Sequence, residues 1–186
     1  GCVSIMTVHR SKGLEFPVVF VANTSHQFNQ SDAIRPVLTH SKLGVGVMLR
    51  AGSTAKRYKT LPYAALAQAI RTETLSEEMR VLYVALTRAQ DALIITIPLK
   101  KTDSALKTPA LCAHAEATGP EAMQSMNSWA GWLLTATLLH PHSDALWAHT
   151  GLLPHYLPTR VPLTVHLLPT PEAAPAPAEA PAPAPD

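Results

Sequence analysis

The sequence predicts an α/β fold with a helical appendage and a disordered, proline-rich tail. Three observations carry that prediction. Residues 73–89 repeat apolar side chains at Leu75, Met79, Leu82 and Leu86, with Tyr83 beside them; these steps of three and four make one face of an α-helix. Short apolar runs at residues 3–8, 17–22 and 92–98 read as buried strands, the last following the helix at once. Residues 169–186 are almost entirely Ala, Pro and Glu and offer no apolar pattern to bury.

The helix opens with Thr74 and Glu77 in the spacing of a capping box and carries Arg88 in its last turn. Arg88 therefore stands where a buried helix turns into a buried strand. Such a junction can line a ligand cleft in α/β folds. Equally, a cation there complements the helix macrodipole, worth about 0.3–1 kcal/mol.

Between the first two strand-like runs, residues 9–16 place His9, Arg10, Lys12 and Glu15 in one short connection. Its cations are potential phosphate donors, and the alternative is an ordinary solvated loop. Residues 24–62 are polar and turn-rich. Within them, residues 43–49 suggest a strand with glycine turns, lacking the lysine of a nucleotide-binding loop. Arg50, Lys56, Arg57 and Lys59, with Tyr58 among them, form a basic patch that either touches a nucleic-acid backbone or is a solvated hairpin tip. Pro62 suits a helix first turn, so the helix through residues 63–70 runs on, with or without a break near Thr72, into the 73–89 helix.

Beyond residue 100 the signals weaken. A short helix is expected within 106–117 and a longer one over 120–139. In the longer helix Met123, Met126, Trp129, Ala130, Leu133, Ala136 and Thr137 share a core-facing side. His140, His142 and His149 lack metal-ligand spacing, and no metal site is expected. Residues 152–168 are proline-interrupted and read as weakly structured.

The bulk composition fits a domain with an appendage. The chain has 186 residues, of which 47% are hydrophobic, and a net charge of +2. Residues 1–100 carry net +6 and residues 101–186 net −4, a modest basic excess in the first half that suits a polyanion partner. Two cysteines make neither a disulfide framework nor a metal set, which points to a reduced, cytosolic setting. No membrane span or signal peptide is read, and the start at Gly1 inside a strand-like pattern suggests a piece of something longer.

Taken together, "TVHRSKGLEFPVVFV" and "SEEMRVLYVALTRAQDALIIT" resemble motifs V and VI of superfamily 1 DNA helicases of the UvrD/RecB group. The intervening "QFN", "LGVGV" and "YKTLPYAALAQ" are similar to the AddA subunits of bacterial AddAB helicase–nucleases. The resemblance covers residues 3–98 closely and 120–147 more loosely. It implies the C-terminal part of a RecA-like, P-loop NTPase-type domain over residues 1–100, a helical extension over 101–168 and a linker over 169–186.

It also implies an ATP-dependent DNA helicase of double-strand break repair and recombination, partnered by an AddB-like subunit in the bacterial cytoplasm, acting on single- and double-stranded DNA. By the same resemblance, Arg88 is the catalytic arginine finger that reaches the γ-phosphate of ATP. Glu15 and Gly13 lie with Arg88 at the nucleotide, and Thr7, His9 and Lys12 meet the DNA. Arg80 and Glu77 match positions that set the helix. No Walker A loop and no Asp-Glu pair for Mg²⁺ occurs in these residues, so ATP and Mg²⁺ are expected to be held mainly by a first domain. These residues alone are expected to hydrolyse nothing. A non-enzymatic DNA- or protein-binding module derived from a helicase domain is the alternative.

Overall fold

The computed structural model describes residues 2–50, 52, 56–114 and 120–169. The tail expected over 169–186 lies outside them from residue 170 on, as do residues 115–117 of the helix expected over 106–117. Among the described residues twelve elements follow in order. A 3₁₀ turn at His9–Ser11 leads to β1 (Phe16–Val21), and a second at Ser31–Ile34 precedes β2 (Val37–His40), β3 (Gly44–Arg50) and β4 (Arg57–Lys59). Then come α1 (Leu61–Leu86), β5 (Ala89–Ile95), α2 (Thr102–His114), α3 (Pro120–Gln124), α4 (Trp129–Leu138) and α5 (Asp144–Trp147).

α1 is one unbroken helix of 26 residues with Pro62 in its first turn. Its cap is Thr60, whose Oγ1 accepts from the Tyr63 N–H at 3.2 Å. The capping box expected at Thr74 and Glu77 is not one. Thr74 sits mid-helix, where its hydroxyl donates to the Ile70 carbonyl at 2.9 Å, and the long propagating helix leaves it no orphan N–H to cap. Glu77 pairs instead with Arg80 on the solvent face. Leu82 is buried, Leu75 and Leu86 pack partly against the same cluster, and Met79 stays 38% exposed. Arg88 falls one residue past the C-cap Thr87 rather than in the last turn.

β1 and β5 pair in parallel, with Phe16 opposite Ala89 and Val18 opposite Ala92. The register shifts at Pro17, which has no N–H to give the ladder. The expected burial of these strands is not observed: Val18 is 50% exposed and Phe20 67%. Their two-faced apolar runs suit the middle of a parallel sheet, but among the described residues this sheet has two strands. Residues 3–8, expected as a buried strand, form none. They have no ladder partner, and Val3 and Ile5 are almost fully exposed. The strand expected at 43–49 is β3, the middle strand of an antiparallel β2–β3–β4 sheet resting on α1.

Residues 120–139 are two helices rather than one, broken at 125–128 by a bridge between Gln27 and Ser128 that ties this segment to the loop after β1. Met126, Ala130 and Leu133 are buried as expected, while Ala136 is exposed. Trp132 and Met126 share a core with Leu82 of α1 and with Phe28, whose ring lies 4.9 Å from that of Trp132. A second core of Leu106, Ala110, Leu134, Leu138, Leu146 and Trp147 joins α2, α4 and α5.

Residues 152–168 contain no helix or strand, yet they are held. Leu157 N–H donates to the Leu139 carbonyl at 2.8 Å, and His140 Nε2 and His142 Nδ1 meet the Val161 and Leu163 carbonyls at 2.8 and 3.0 Å. At the carboxyl ends of β1 and β5, Thr24 Oγ1 donates to the Thr96 carbonyl and Ala130 N–H to the Thr24 carbonyl, both at 2.8 Å. That closes one edge of the parallel pair against α4 and leaves the amino edge for the site. Among the described residues no helix is long and apolar enough to cross a membrane.

Candidate functional site

The parallel register fixes the site. Because Phe16 pairs with Ala89, the residues just before each strand, Gly13 to Glu15 and Arg88, come to the same edge. Ligands in open α/β sheets usually sit at the carboxyl ends of strands; here the predicted site residues gather at the amino ends. Phe16 N–H donates to the Arg88 carbonyl at 2.9 Å, extending the ladder into both connections.

The Arg88 guanidinium is held by three neutral partners. Nε donates to the Val84 carbonyl at 2.9 Å, Nη1 to the Leu14 carbonyl at 3.0 Å and Nη2 to Thr87 Oγ1 at 3.1 Å. A guanidinium has five N–H donors, so two remain for a ligand. Among the described residues no carboxylate forms an ion pair with Arg88. The side chain is thus fixed in direction and keeps its charge uncompensated, which suits an anion brought to it.

Glu15, one residue before β1, is exposed and accepts from Gln90 Nε2 at 3.1 Å. Gln90 and Thr87 are the residues that reading the sequence missed. Both lie within the ALTRAQ stretch around Arg88, and their partners became apparent only once the register set Glu15 beside Gln90. Gly13 has φ +83°. This left-handed backbone turns the loop from the 3₁₀ turn into β1, and a side chain there is strained even though no atom blocks it.

The predicted DNA-facing residues occupy the loop upstream. The Thr7 carbonyl accepts from the N–H groups of Arg10 and Ser11 at 3.0 and 3.2 Å, starting the 3₁₀ turn. Ser11 is buried and its hydroxyl donates to the Val8 carbonyl at 2.8 Å. Anchoring Ser11 leaves Thr7, His9, Lys12 and Gly13 exposed around it. The structure therefore brings Gly13, Glu15 and Arg88 together and sets Thr7, His9 and Lys12 on the adjoining turn. Arg80 and Glu77 stay on α1, away from this edge. Among the described residues no three His, Cys, Asp or Glu side chains converge as metal ligands, so no step here runs through a metal held by this chain.

Residues 1–100 match the family described as the UvrD-like helicase C-terminal domain. The chain belongs to that family. Its curated relatives are named as ATP-dependent helicase/nuclease subunits of the A type. The one from Ruminiclostridium cellulolyticum is 39% identical over 152 residues, 81% of this chain and 12% of the relative. The one from Moorella thermoacetica is 39% identical over 148 residues, 77% of this chain and 10% of the relative. The Lacticaseibacillus paracasei protein is 34% identical over 181 residues, 93% of this chain and 14% of its own length. The chain thus spans about one eighth of the curated relatives it matches. This UvrD-like domain has an α/β fold with a parallel strand pair and packed helices, as expected.

Proposed function

We propose that the chain is the C-terminal motor portion of an AddA-type ATP-dependent DNA helicase/nuclease, and that it supplies an arginine finger and part of a single-strand track. Residues 1–100 are the motor part, 101–168 a helical extension and 169–186 a linker. The parent works with an AddB-like subunit on single- and double-stranded DNA during double-strand break repair and recombination, in the bacterial cytoplasm.

One observation carries this reading: the charge of Arg88 is held in place by carbonyls and a hydroxyl, with donors to spare. Phosphoryl transfer needs charge stabilisation and positioning more than covalent chemistry. An arginine aimed across a gap meets the γ-phosphate only when a facing domain closes on ATP. Its bond to the Leu14 carbonyl ties that event to the loop bearing Thr7, His9 and Lys12, so nucleotide occupancy is felt where the strand is gripped. Gly13 and Glu15 flank the nucleotide from the same edge. ATP and Mg²⁺ are bound mainly by the facing domain, and these 186 residues alone turn over no ATP.

The test is Arg88→Ala in a full-length AddA-type parent carrying this domain. DNA-stimulated ATP hydrolysis should fall by about 10³–10⁵ while ATP binding persists. Near wild-type turnover would remove the finger role. A wild-type parent that binds DNA but never hydrolyses ATP would establish the alternative, a non-enzymatic binding module.

A further inference from the structure

β3 and β4 carry an unusual charge arrangement. The antiparallel register sets Arg50 directly opposite Arg57 and Met48 opposite Lys59. Opposed residues share a face, as do residues two apart along a strand, so Arg50, Arg57 and Lys59 stand on one face and Leu49 and Tyr58 on the other. All three cations are exposed. Residues 44–60 contain no Asp or Glu, and among the described residues none of the three pairs with a carboxylate. Like charges directly opposed destabilise an antiparallel pair. A solvated hairpin needs no such cost, whereas a site for a polyanion does.

The ribbon is also remote from Arg88. Gly46 lies against the Tyr63 backbone, and Thr60 Oγ1 donates to the Val47 carbonyl at 2.9 Å, so β3 rests on the first turn of α1. Arg88 follows the other end of that helix, whose 26 residues span ~39 Å.

We propose that the Arg50–Arg57–Lys59 face is an auxiliary site for the phosphate backbone of duplex DNA, about one helical turn away from the Arg88 edge. Duplex fits better than single strand. The one aromatic of the ribbon, Tyr58, is on the opposite face, so no stacking platform for unpaired bases adjoins the cations. The proposal rests on the DNA-motor reading only for its choice of polyanion.

The test uses the 186-residue chain with Arg50→Thr, Arg57→Thr and Lys59→Thr combined, since threonine keeps strand propensity. Affinity for a short blunt duplex, and for a single strand of equal length, is followed against salt. The duplex slope of log K against log salt should fall by roughly 2 to 3, at about 0.9 per lost phosphate contact. Combined Lys100→Ala, Lys101→Ala and Lys107→Ala removes the same charge elsewhere and should leave the slope alone. Arg88→Ala should also leave it alone, so this proposal and the finger role fail separately. Relieving the Arg50–Arg57 repulsion should leave the unfolding temperature unchanged or raised, which serves as the folding control. An equal slope change in the lysine control, an unchanged slope, or a loss confined to the single strand would each overturn the proposal. Lost binding of a poly-glutamate peptide with an unchanged DNA slope would overturn it in favour of an acidic protein partner.

Discussion

The Arg88 guanidinium donates to the Leu14 carbonyl across 74 residues of sequence, at 3.0 Å. That bond joins the end of the long helix to the loop before β1. Together with the Phe16 N–H bond to the Arg88 carbonyl, it closes the two connections into a single edge. A displacement of Arg88 by a bound phosphate is therefore transmitted to a backbone atom two residues from Lys12.

Arg88→Lys separates charge from geometry. Lysine keeps the cation but lacks the planar fork that serves Val84, Leu14 and Thr87 at once. In the isolated chain, amide exchange at Glu15 and Phe16 should quicken in Arg88→Lys as it does in Arg88→Ala. In the full-length parent, ATP hydrolysis should stay far below wild type. Unchanged exchange in both variants would show that the Leu14 bond holds nothing in place.

Gly46 is required by packing rather than by backbone conformation. A Cβ there would lie 2.8 Å from Tyr63 Cα and 2.9 Å from its N, both backbone atoms that cannot swing aside. Gly46→Ala should cost about 1–3 kcal/mol by forcing β3 off α1. Urea unfolding that shows a lower midpoint at constant slope checks this. A neutral result would mean that the β2–β3–β4 sheet moves freely over the helix.

The parts of this fold legible in the sequence are those with a local cause. Pro62, the steps of three and four through Leu82, and the glycine-flanked run of β3 each specify their element within a few residues. Burial was less legible. The apolar runs of β1 and β5 predict a sheet interior, but burial depends on neighbouring strands, which a run cannot encode. Thr74 and Glu77 match a capping pattern, and helix continuity from Thr60 overrides it. At the site, Arg88 and Glu15 were identified by motif resemblance, whereas Gln90 and Thr87 required the register. Nothing in residues 152–168 announces their anchoring, because it runs through backbone carbonyls that carry no side-chain signature.

Trp147 is a central side chain of the α2–α4–α5 core, at 2% exposure. Trp147→Ala should cost about 3–5 kcal/mol. Trp147→Phe isolates the Nε1 bond to the Leu138 carbonyl, 2.8 Å long. That carbonyl also accepts from Ser143 Oγ at 3.0 Å, so it is not orphaned when the indole goes. The Phe variant should therefore lose much less than the Ala variant, with about 1 kcal/mol assigned to the lost bond itself. Paired denaturant titrations of the two variants decide it, and equal losses would mean that the carbonyl depends on the indole.

The irregular segment after α5 supplies a pH signature. Tyr156 donates its hydroxyl to Asp144 Oδ1 at the start of α5. That hydrogen bond, then desolvation and the carboxylate charge, push the phenol up to about 12 from 10.0. The neutral phenol is the bonded form, so folding favours it. The contribution is fully present below pH 10 and is lost as pH rises towards 12. Tyr156→Phe removes this dependence along with the bond. The wild-type chain should lose more stability than Tyr156→Phe between those two pH values, while below pH 10 their difference should be constant. An alkaline titration of phenolate absorbance should show one tyrosine ionising near pH 12 in the folded wild type and none in the variant. A wild type whose tyrosines all ionise near their ordinary value would show that Tyr156 and Asp144 are not bonded in solution, and that the strap over α4 and α5 is held by its backbone contacts alone.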